Sequence, residues 1–462
     1  MEQRKFRMPT AYTILFCLIL LVALSTWFIP AGSYDYADGI PISGSYHAVA
    51  PAPQGIGAAL KAAFRGFYDA VDVCVFILMV GGFLGVVMKT GAIDAGVSNV
   101  ISRLQGRENL LITILMLFFG LGGTTYGMWE ETMAFFPLLL PIFLAAGYDA
   151  VVGVAVILLG AGAGVIASTV NPFATGIAAG FAGVSLGEGI VLRLLEWVAF
   201  EAAAIWFVMA YAAKVKKNPS KSVVGVGAGK IQVSMDQQVS FTAKRKVIMA
   251  LFTLTFLIMV YAVVPFDEMG LSLPALGWWF PELSALFLVA GVVIGLIDRM
   301  SEEELVETYV AGCADLLGVA FIIGISRGIT VLMNDGAITD TVLHWGEQAL
   351  SGAGAISFTL LVFALYLPLT ILIPSSSGLA TLSIPIVAPL GKFAGVGGDL
   401  VVTAFQSASG LVNIITPTAA VVMGALALGH VPYDRWVKYV WKLILWFLLL
   451  ALAFLVAGVL LG

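Results

Sequence analysis

Two adjacent carboxylates are the residues of this chain with the clearest chemical potential. Glu130 and Glu131 follow the glycine-rich run GLGGTTYGMW and lie in otherwise uncharged, apolar sequence. A carboxylate at membrane depth costs ~2.5 kcal/mol or more, so its presence there indicates a functional site. The pair predicts an acidic cavity that suits a cationic or zwitterionic substrate, or a driving cation. Two alternatives stay open: one Glu pairs with Arg327, or the pair faces water at the membrane surface.

Hydroxyl and amide groups supply the rest of the predicted site. The segment PSSSGLAT at 374–381 is the second-half counterpart of the glycine-rich run, and it carries serines in place of carboxylates. Two later apolar segments are interrupted at STVNP (168–172) and SGLVNIITPT (409–418), where proline removes a backbone donor. Freed carbonyls at such a break can hold a cation, and free N–H groups can hold an anion. The predicted substrate-binding residues are Thr124, Thr125, Tyr126, Glu130, Glu131, Thr169, Asn171, Ser375, Ser376, Ser377, Asn413, Thr416 and Thr418.

Ser168, Asn171 and Asn413 also mark a candidate cation site, although no cofactor and no His/Cys metal cluster is predicted. Arg327 is the other charge inside an apolar run. For it a structural role is predicted, as the partner of a carboxylate such as Asp315 or Asp335.

Composition identifies the elements that must position these groups. The chain has 462 residues, of which 60% are hydrophobic and only 11% charged, against ~25% charged in a typical soluble protein. These values exclude a soluble enzyme and a disordered protein, and a net charge of −5 argues against a nucleic-acid binder. The sequence also lacks HExxH and P-loop motifs, which argues against a membrane metalloprotease and against ATP-driven transport. The prediction is an all-α polytopic membrane protein.

The distribution of the few charges predicts the topology. An apolar run of about 20 residues at 10–29 predicts a first spanning helix that starts in the cytoplasm, rather than a cleaved signal peptide. Lysines and arginines cluster between 214 and 246, which places that segment in the cytoplasm. Arg435, Lys438 and Lys442 precede the last apolar run, 443–461, so that run leaves the cytoplasm and the C-terminus is predicted to lie outside. Five units are predicted: 1–54, a spanning helix and external loop; 55–213, a first repeat; 214–246, a cytoplasmic linker; 247–299, two connecting helices; and 300–462, a second repeat.

The two halves resemble each other at a spacing of about 245 residues. The matches join Phe76-Ile-Leu to Phe321-Ile-Ile, a Pro-rich apolar run near Pro137 to one near Pro385, and Val170-Asn171 to Val412-Asn413. With the charge argument, they predict inverted-topology repeats, the architecture of secondary transporters. Each half is predicted to hold a re-entrant hairpin with apolar arms too short to span, about ten residues in the first half, followed by a broken helix.

The runs GTTYGMWEETMAFFPLLLPIFLAAGYD and STVNPFATGIAAG resemble the bacterial YfcC-type basic amino-acid antiporters, as does PSSSGLATLSIPIVAPL in the second half. Those antiporters are related to arginine/ornithine exchangers and anaerobic C4-dicarboxylate carriers, within the ion-transporter superfamily. The resemblance implies a homodimer in the bacterial cytoplasmic membrane, with a scaffold and a transport domain that moves like an elevator. In sodium-coupled relatives the paired Ser-Asn-Thr motifs at the hairpin tips bind Na⁺ and substrate. The tips here differ from them, which weakens the case for sodium coupling.

Two functions in one fold therefore stay open, beside a channel as a third class. The first is exchange of basic amino acids of the arginine, ornithine and lysine type by alternating access, with Glu130 and Glu131 attracting the positive charge. The alternative is transport of C4-dicarboxylates or other small carboxylates, coupled to Na⁺ or to H⁺ carried by a protonated Glu. The predicted partners are a small-molecule substrate, the lipid bilayer and a second copy of the chain.

Overall fold

The computed structural model describes residues 11–37, 40–93, 95, 108–125, 127–185, 187–225, 242–263, 273–274, 276–278 and 280–461. Most of these residues are helical, which agrees with the prediction of an all-α polytopic membrane protein. Among the described residues, four helices are long and apolar enough to cross a membrane, and a fifth span results if the bent helix at 302–335 is counted as one. Helices dominate because a backbone surrounded by lipid must satisfy its own hydrogen bonds.

The first half begins with a helix and a loop that carries two small antiparallel strand pairs. The helices are α1 (Ala11–Ser25), α2 (Ile56–Asp69), α3 (Val71–Lys89), α4 (Glu108–Thr125), α5 (Phe136–Ala145), α6 (Ala150–Ile166), α7 (Ile177–Ala182) and α8 (Ile190–Lys217). In the loop, β1 (Gly32–Ser33) pairs with β4 (His47–Ala48), and β2 (Tyr36–Ala37) pairs with β3 (Ile40–Pro41). A 3₁₀ turn (Glu130–Phe135) precedes α5, a π turn (Pro172–Gly176) precedes α7, and a 3₁₀ turn (Pro219–Lys221) follows α8.

The second half repeats much of that order. Its helices are α9 (Ala243–Val263), α10 (Phe280–Asp298), α11 (Glu302–Asp335), α12 (Thr339–Leu350), α13 (Ala355–Leu372), α14 (Ser376–Phe393), α15 (Gly398–Asn413), α16 (Ala420–Leu428) and α17 (Tyr433–Leu461). Helices α4 and α13 have 18 residues each, and the long helices α8 and α17 have 28 and 29. The succession of elements from α4 to α8 thus matches that from α13 to α17.

Helix α11 packs along α2 and α3 through small residues, and it runs antiparallel to both helices. Gly66 lies against the backbone of Gly328, whereas Gly81, farther along the chain, lies against Gly312. A Cβ at Gly81 would come within 2.5 Å of the carbonyl oxygen of Gly312. Small side chains at a membrane interface let two helix backbones approach closely, so van der Waals contact holds the pair.

The hairpin arms are longer than expected. Only α5 has ten residues, whereas α4, α13 and α14 have 18 each, and α13 is long and apolar enough to span a membrane. The reason lies in the glycine-rich run, which continues α4 instead of ending it. A Cβ at Gly164 of α6 would collide with the carbonyl oxygen of Gly120, and a Cβ at Gly123 would collide with that of Ala161. The glycines therefore permit helix contact and do not interrupt the helix.

The two predicted helix breaks are present and adjoin each other. Residues 167–171 separate α6 from the π turn, and residues 414–419 separate α15 from α16. A Cβ at Gly410 of α15 would lie 2.6 Å from the Cα of Ile166 of α6. The Nε2 of Gln406 donates a hydrogen bond to the carbonyl oxygen of Val165 at 2.6 Å. The ends of the corresponding helices of the two halves are therefore in direct contact.

Candidate functional site

A cavity of about 150 Å³ lies where two turns meet the two helix breaks. The first turn joins α4 to α5, and the second turn joins α13 to α14. Most of the predicted substrate-binding residues line it. They are Glu130, Glu131, Asn171, Ser375, Ser376, Ser377, Asn413 and Thr418, and they are joined there by Gly127, Trp129, Ser326 and Arg327. A pocket with apolar walls and a few converging polar groups is the usual form of a small-molecule site.

The first turn presents two carboxylates to the cavity in different ways. Glu131 is buried, and its Oε2 accepts a hydrogen bond from the backbone N–H of Trp129 at 3.1 Å. That bond satisfies one backbone donor at the start of the 3₁₀ turn. No other residue in the described part of the chain hydrogen-bonds to the carboxylate of Glu130, which is half-buried at the cavity wall. Glu130 is therefore the carboxylate better placed to meet a ligand.

Gly127 holds the first turn against the break of α6. Its φ of +79° lies in the left-handed region that favours glycine. A Cβ at this position would lie 2.5 Å from the Nδ2 of Asn171. The Oδ1 of Asn171 in turn accepts from the N–H of Ala174 at 3.3 Å, which helps to start the π turn. The turn and the break are thus fitted to each other without space for a side chain between them.

The second turn uses hydroxyl groups. The Oγ of Ser375 caps α14 by accepting from the N–H of Gly378 at 3.2 Å, and it lies 3.4 Å from the Oγ of Ser377. Serine is among the preferred N-cap residues because its side-chain oxygen satisfies an otherwise unpaired helix donor. This side of the cavity is therefore polar and uncharged, as predicted.

The break after α15 contributes oxygen atoms. The Oδ1 of Asn413 is buried and has no hydrogen-bond partner among the described residues. The hydroxyls of Thr416 and Thr418 lie 2.9 Å apart, and Thr418 reaches the cavity. The Oγ of Ser168 is also buried without such a partner. Unpaired buried oxygens suit a cation, and the described residues hold no cluster of three or more His, Cys, Asp or Glu that would suit a transition metal.

Four of the remaining predicted residues, Thr124, Thr125, Thr169 and Thr416, do not line the cavity. Thr124 donates to the carbonyl oxygen of Ala167 at 2.8 Å, and Thr169 donates to that of Thr124 at 2.9 Å. These two bonds tie the end of α4 to the break of α6. Thr125 donates to the carbonyl oxygen of Leu121, and Tyr126 lies outside the described residues.

The surroundings of Arg327 correct one expectation. Arg327 lines the cavity, and its Nε lies 3.9 Å from the Oδ2 of Asp69. Asp335 instead pairs with Arg65, so the predicted partnership of Arg327 with Asp335 is wrong. Sequence alone did not suggest Asp69 because the contact depends on the antiparallel packing of α2 against α11. The cavity therefore combines Glu130 and Glu131 with one guanidinium.

A buried charged cluster on α8 was missed by the sequence analysis. Arg193, Glu196 and Glu201 are at most 2% exposed, and the Oε1 of Glu196 accepts from the hydroxyl of Ser407 on α15 at 2.8 Å. Both carboxylate oxygens of Glu201 lack a hydrogen-bond partner in the described part of the chain, and they lie against the bare Cα of Gly120. The signal was present for one pair, because Arg193 and Glu196 are three residues apart in a long apolar helix and therefore lie side by side on its surface.

Comparison with known proteins shows the family to which the chain belongs. Residues 8–460 match the profile of the family described as DcuC, C4-dicarboxylate anaerobic carrier. The chain is 33% identical to an uncharacterised protein of Haemophilus influenzae, with 99% of this chain and 98% of that protein covered. It is 29% identical to an Escherichia coli protein named "Putative basic amino acid antiporter YfcC", with 94% and 93% covered. The solved structure of Neisseria gonorrhoeae MtrF, from a work on a class of antimetabolite efflux pumps, aligns with a TM-score of 0.45 at 17% identity, with 97% and 94% covered.

Proposed function

The chain belongs to the C4-dicarboxylate anaerobic carrier family and is a multi-pass membrane transporter, and from this premise we propose that it exchanges basic amino acids by secondary active transport. The substrates are of the arginine, ornithine and lysine type. The single observation that carries the proposal is the charge of the cavity, where Glu130 and Glu131 face Arg327.

The charges of the cavity complement those of a basic amino acid. Such a substrate carries two positive groups, the α-ammonium and the side chain, and one negative group, the α-carboxylate. Two carboxylates and one guanidinium in the wall match this pattern group for group. Charge-assisted hydrogen bonds of this kind are roughly twice as strong as neutral ones, and Arg binds carboxylates in a two-pronged geometry. The hydroxyls of Ser375 and Ser377 supply uncharged contacts.

A small dicarboxylate is the second candidate, and two observations favour it: the family description and the presence of Arg327 in the wall. Its two negative charges would face two carboxylates and only one guanidinium. Binding would therefore need Glu130 or Glu131 to be protonated, or a cation such as Na⁺ to bind with the substrate. The unpaired oxygens of Ser168 and Asn413 provide the candidate cation site for that case.

The transport cycle that we propose uses the two halves as inverted repeats. The matching succession of helices and the contact between the ends of α6 and α15 support this arrangement. The hairpins and broken helices would form a transport domain that moves like an elevator against a scaffold, in a homodimer in the bacterial inner membrane. The N-terminus would lie in the cytoplasm and the C-terminus outside. Labelling of intact cells tests this orientation in variants that carry a single cysteine, Ser45→Cys or Ser220→Cys. Only Ser45→Cys should react with a reagent that cannot cross the membrane.

Counterflow in proteoliposomes tests the function. Vesicles loaded with unlabelled arginine should accumulate labelled arginine, and unlabelled lysine or ornithine inside should replace arginine. The matched control uses vesicles that contain unlabelled succinate and receive labelled succinate outside. Accumulation of succinate without accumulation of any basic amino acid would refute basic amino-acid exchange and support the second candidate.

A further inference from the structure

An apolar groove lies on the outside of the molecule and shares no lining residue with the cavity. It runs between the antiparallel helices α8 and α17 and has a volume of about 390 Å³. Ala203, Phe207 and Leu443 form part of its floor. The rings of Trp206 and Trp446 stack at 6.1 Å between centroids, and they are 63% and 58% exposed. Exposed tryptophans at this density mark a lipid-facing surface near the membrane interface.

Three lysines contribute positive charge to this groove. Lys214 from α8 and Lys438 and Lys442 from α17 all line it, and all three residues are exposed. The acidic groups nearby are engaged elsewhere. Asp149 accepts hydrogen bonds from Tyr211 and Ser222, and Asp434 lies 3.3 Å from Arg435. The mouth of the groove therefore carries a net positive charge beside an apolar channel.

A buried hydroxyl in the wall is left without a partner. Tyr439 lines the groove and is 5% exposed, and its OH has no hydrogen-bond partner among the described residues. The ring of Tyr439 therefore forms part of the apolar wall of the groove, whereas its OH is buried within the protein.

We propose that the groove binds an anionic phospholipid. The phosphate lies among Lys214, Lys438 and Lys442, and an acyl chain lies along Trp206 and Trp446. Basic pockets between membrane helices bind anionic head groups in this way. A free phosphate would leave the apolar channel unfilled, and a second copy related by a two-fold axis would bring the lysines of the two grooves towards each other.

The test compares spin-labelled phosphatidylglycerol with spin-labelled phosphatidylcholine bound to the full chain in phosphatidylcholine vesicles. A lysine near the surface contributes about fivefold to anionic lipid binding. We expect the preference for phosphatidylglycerol to fall about fivefold in Lys438→Gln and further in the triple variant with Lys214→Gln and Lys442→Gln. The matched control changes Lys217, Lys221 and Lys392 to Gln. It removes the same charge outside the groove and should leave the preference unchanged.

A second variant separates shape from charge. Ala210→Trp fills the groove and leaves every lysine in place, so it should remove the immobilised acyl-chain signal. An equal loss in the control triple variant, or an unchanged signal in Ala210→Trp, would overturn the proposal. Displacement of the lipid by glycerol phosphate alone would also overturn the proposal. So would a disulfide bond between two copies of the Trp206→Cys variant. Because lipid binding is measured without transport, the result does not depend on the proposed substrate.

Discussion

The two hairpin turns stand at corresponding places in the two halves and meet the same need with different groups. Each turn leaves backbone N–H groups that must find acceptors in a low-dielectric setting. In the first, the carboxylate of Glu131 accepts from Trp129; in the second, the hydroxyl of Ser375 accepts from Gly378. The second turn shows that a neutral oxygen is sufficient for the backbone. The negative charge of the first turn, and Glu130 above all, is therefore in excess of what the fold needs, which indicates a role in binding.

The largest expected effect comes from neutralising the first turn. In the double variant Glu130→Gln/Glu131→Gln, the amides keep the size and the acceptor for Trp129 but remove both charges. A charge-assisted hydrogen bond contributes about 1.5–3 kcal/mol, so arginine counterflow should fall about 100-fold or more. The matched change in the second turn, Ser376→Ala/Ser377→Ala, should lower counterflow much less. Equal losses in the two variants would remove the distinction between the turns.

Arg327 lies between the two turns and should have the next largest effect. Arg327→Gln removes the group assigned to the substrate carboxylate, so arginine counterflow should fall about tenfold or more. Arg65→Gln is the control, since Arg65 forms a half-exposed ion pair with Asp335 away from the cavity. An exposed ion pair contributes at most about 1 kcal/mol to stability. If both variants transport alike, Arg327 is a structural residue, as the sequence suggested.

Substitution of a glycine by alanine should affect stability differently at the two turns. Gly127→Ala forces a residue with a side chain into the left-handed region, which costs about 1–2 kcal/mol. The new methyl group would also collide with Asn171. At Gly378 a Cβ would lie 3.2 Å from the Oγ of Ser375, in the first turn of a helix that alanine favours. The melting temperature of the purified protein should therefore fall in Gly127→Ala and change little in Gly378→Ala. A larger fall in Gly378→Ala would mean that the first turn is the more adaptable one.

The smallest effect is expected at the cap of the second turn. Ser375→Ala removes the acceptor for the N–H of Gly378, which should lower the free energy of unfolding by about 1 kcal/mol. Ser375→Asn keeps an uncharged side-chain acceptor, and asparagine is among the preferred N-cap residues. The melting temperature should recover in this variant. No difference between the two variants would show that the cap does not stabilise the turn.

Sequence reasoning singled out the residues of this candidate site because proline, glycine and uncharged polar residues interrupt apolar runs at corresponding places in both halves. Glu130, Asn171 and Ser375 meet in one cavity as that pattern predicted. It could not find the partner of Arg327 or the true length of α4, since both depend on packing. The glycines that suggested a break instead allow close helix contact, and a sequence does not distinguish these two uses of glycine.

Ligand-dependent thermal stability tests the central claim most directly. A ligand that binds the folded protein stabilises it by RT ln(1 + [L]/Kd), whichever way transport is coupled. We predict that arginine raises the melting temperature of the purified protein, that succinate does not, and that Glu130→Gln/Glu131→Gln abolishes the shift with arginine. Stabilisation by succinate and not by arginine would contradict the assignment of a basic substrate to the acidic turn.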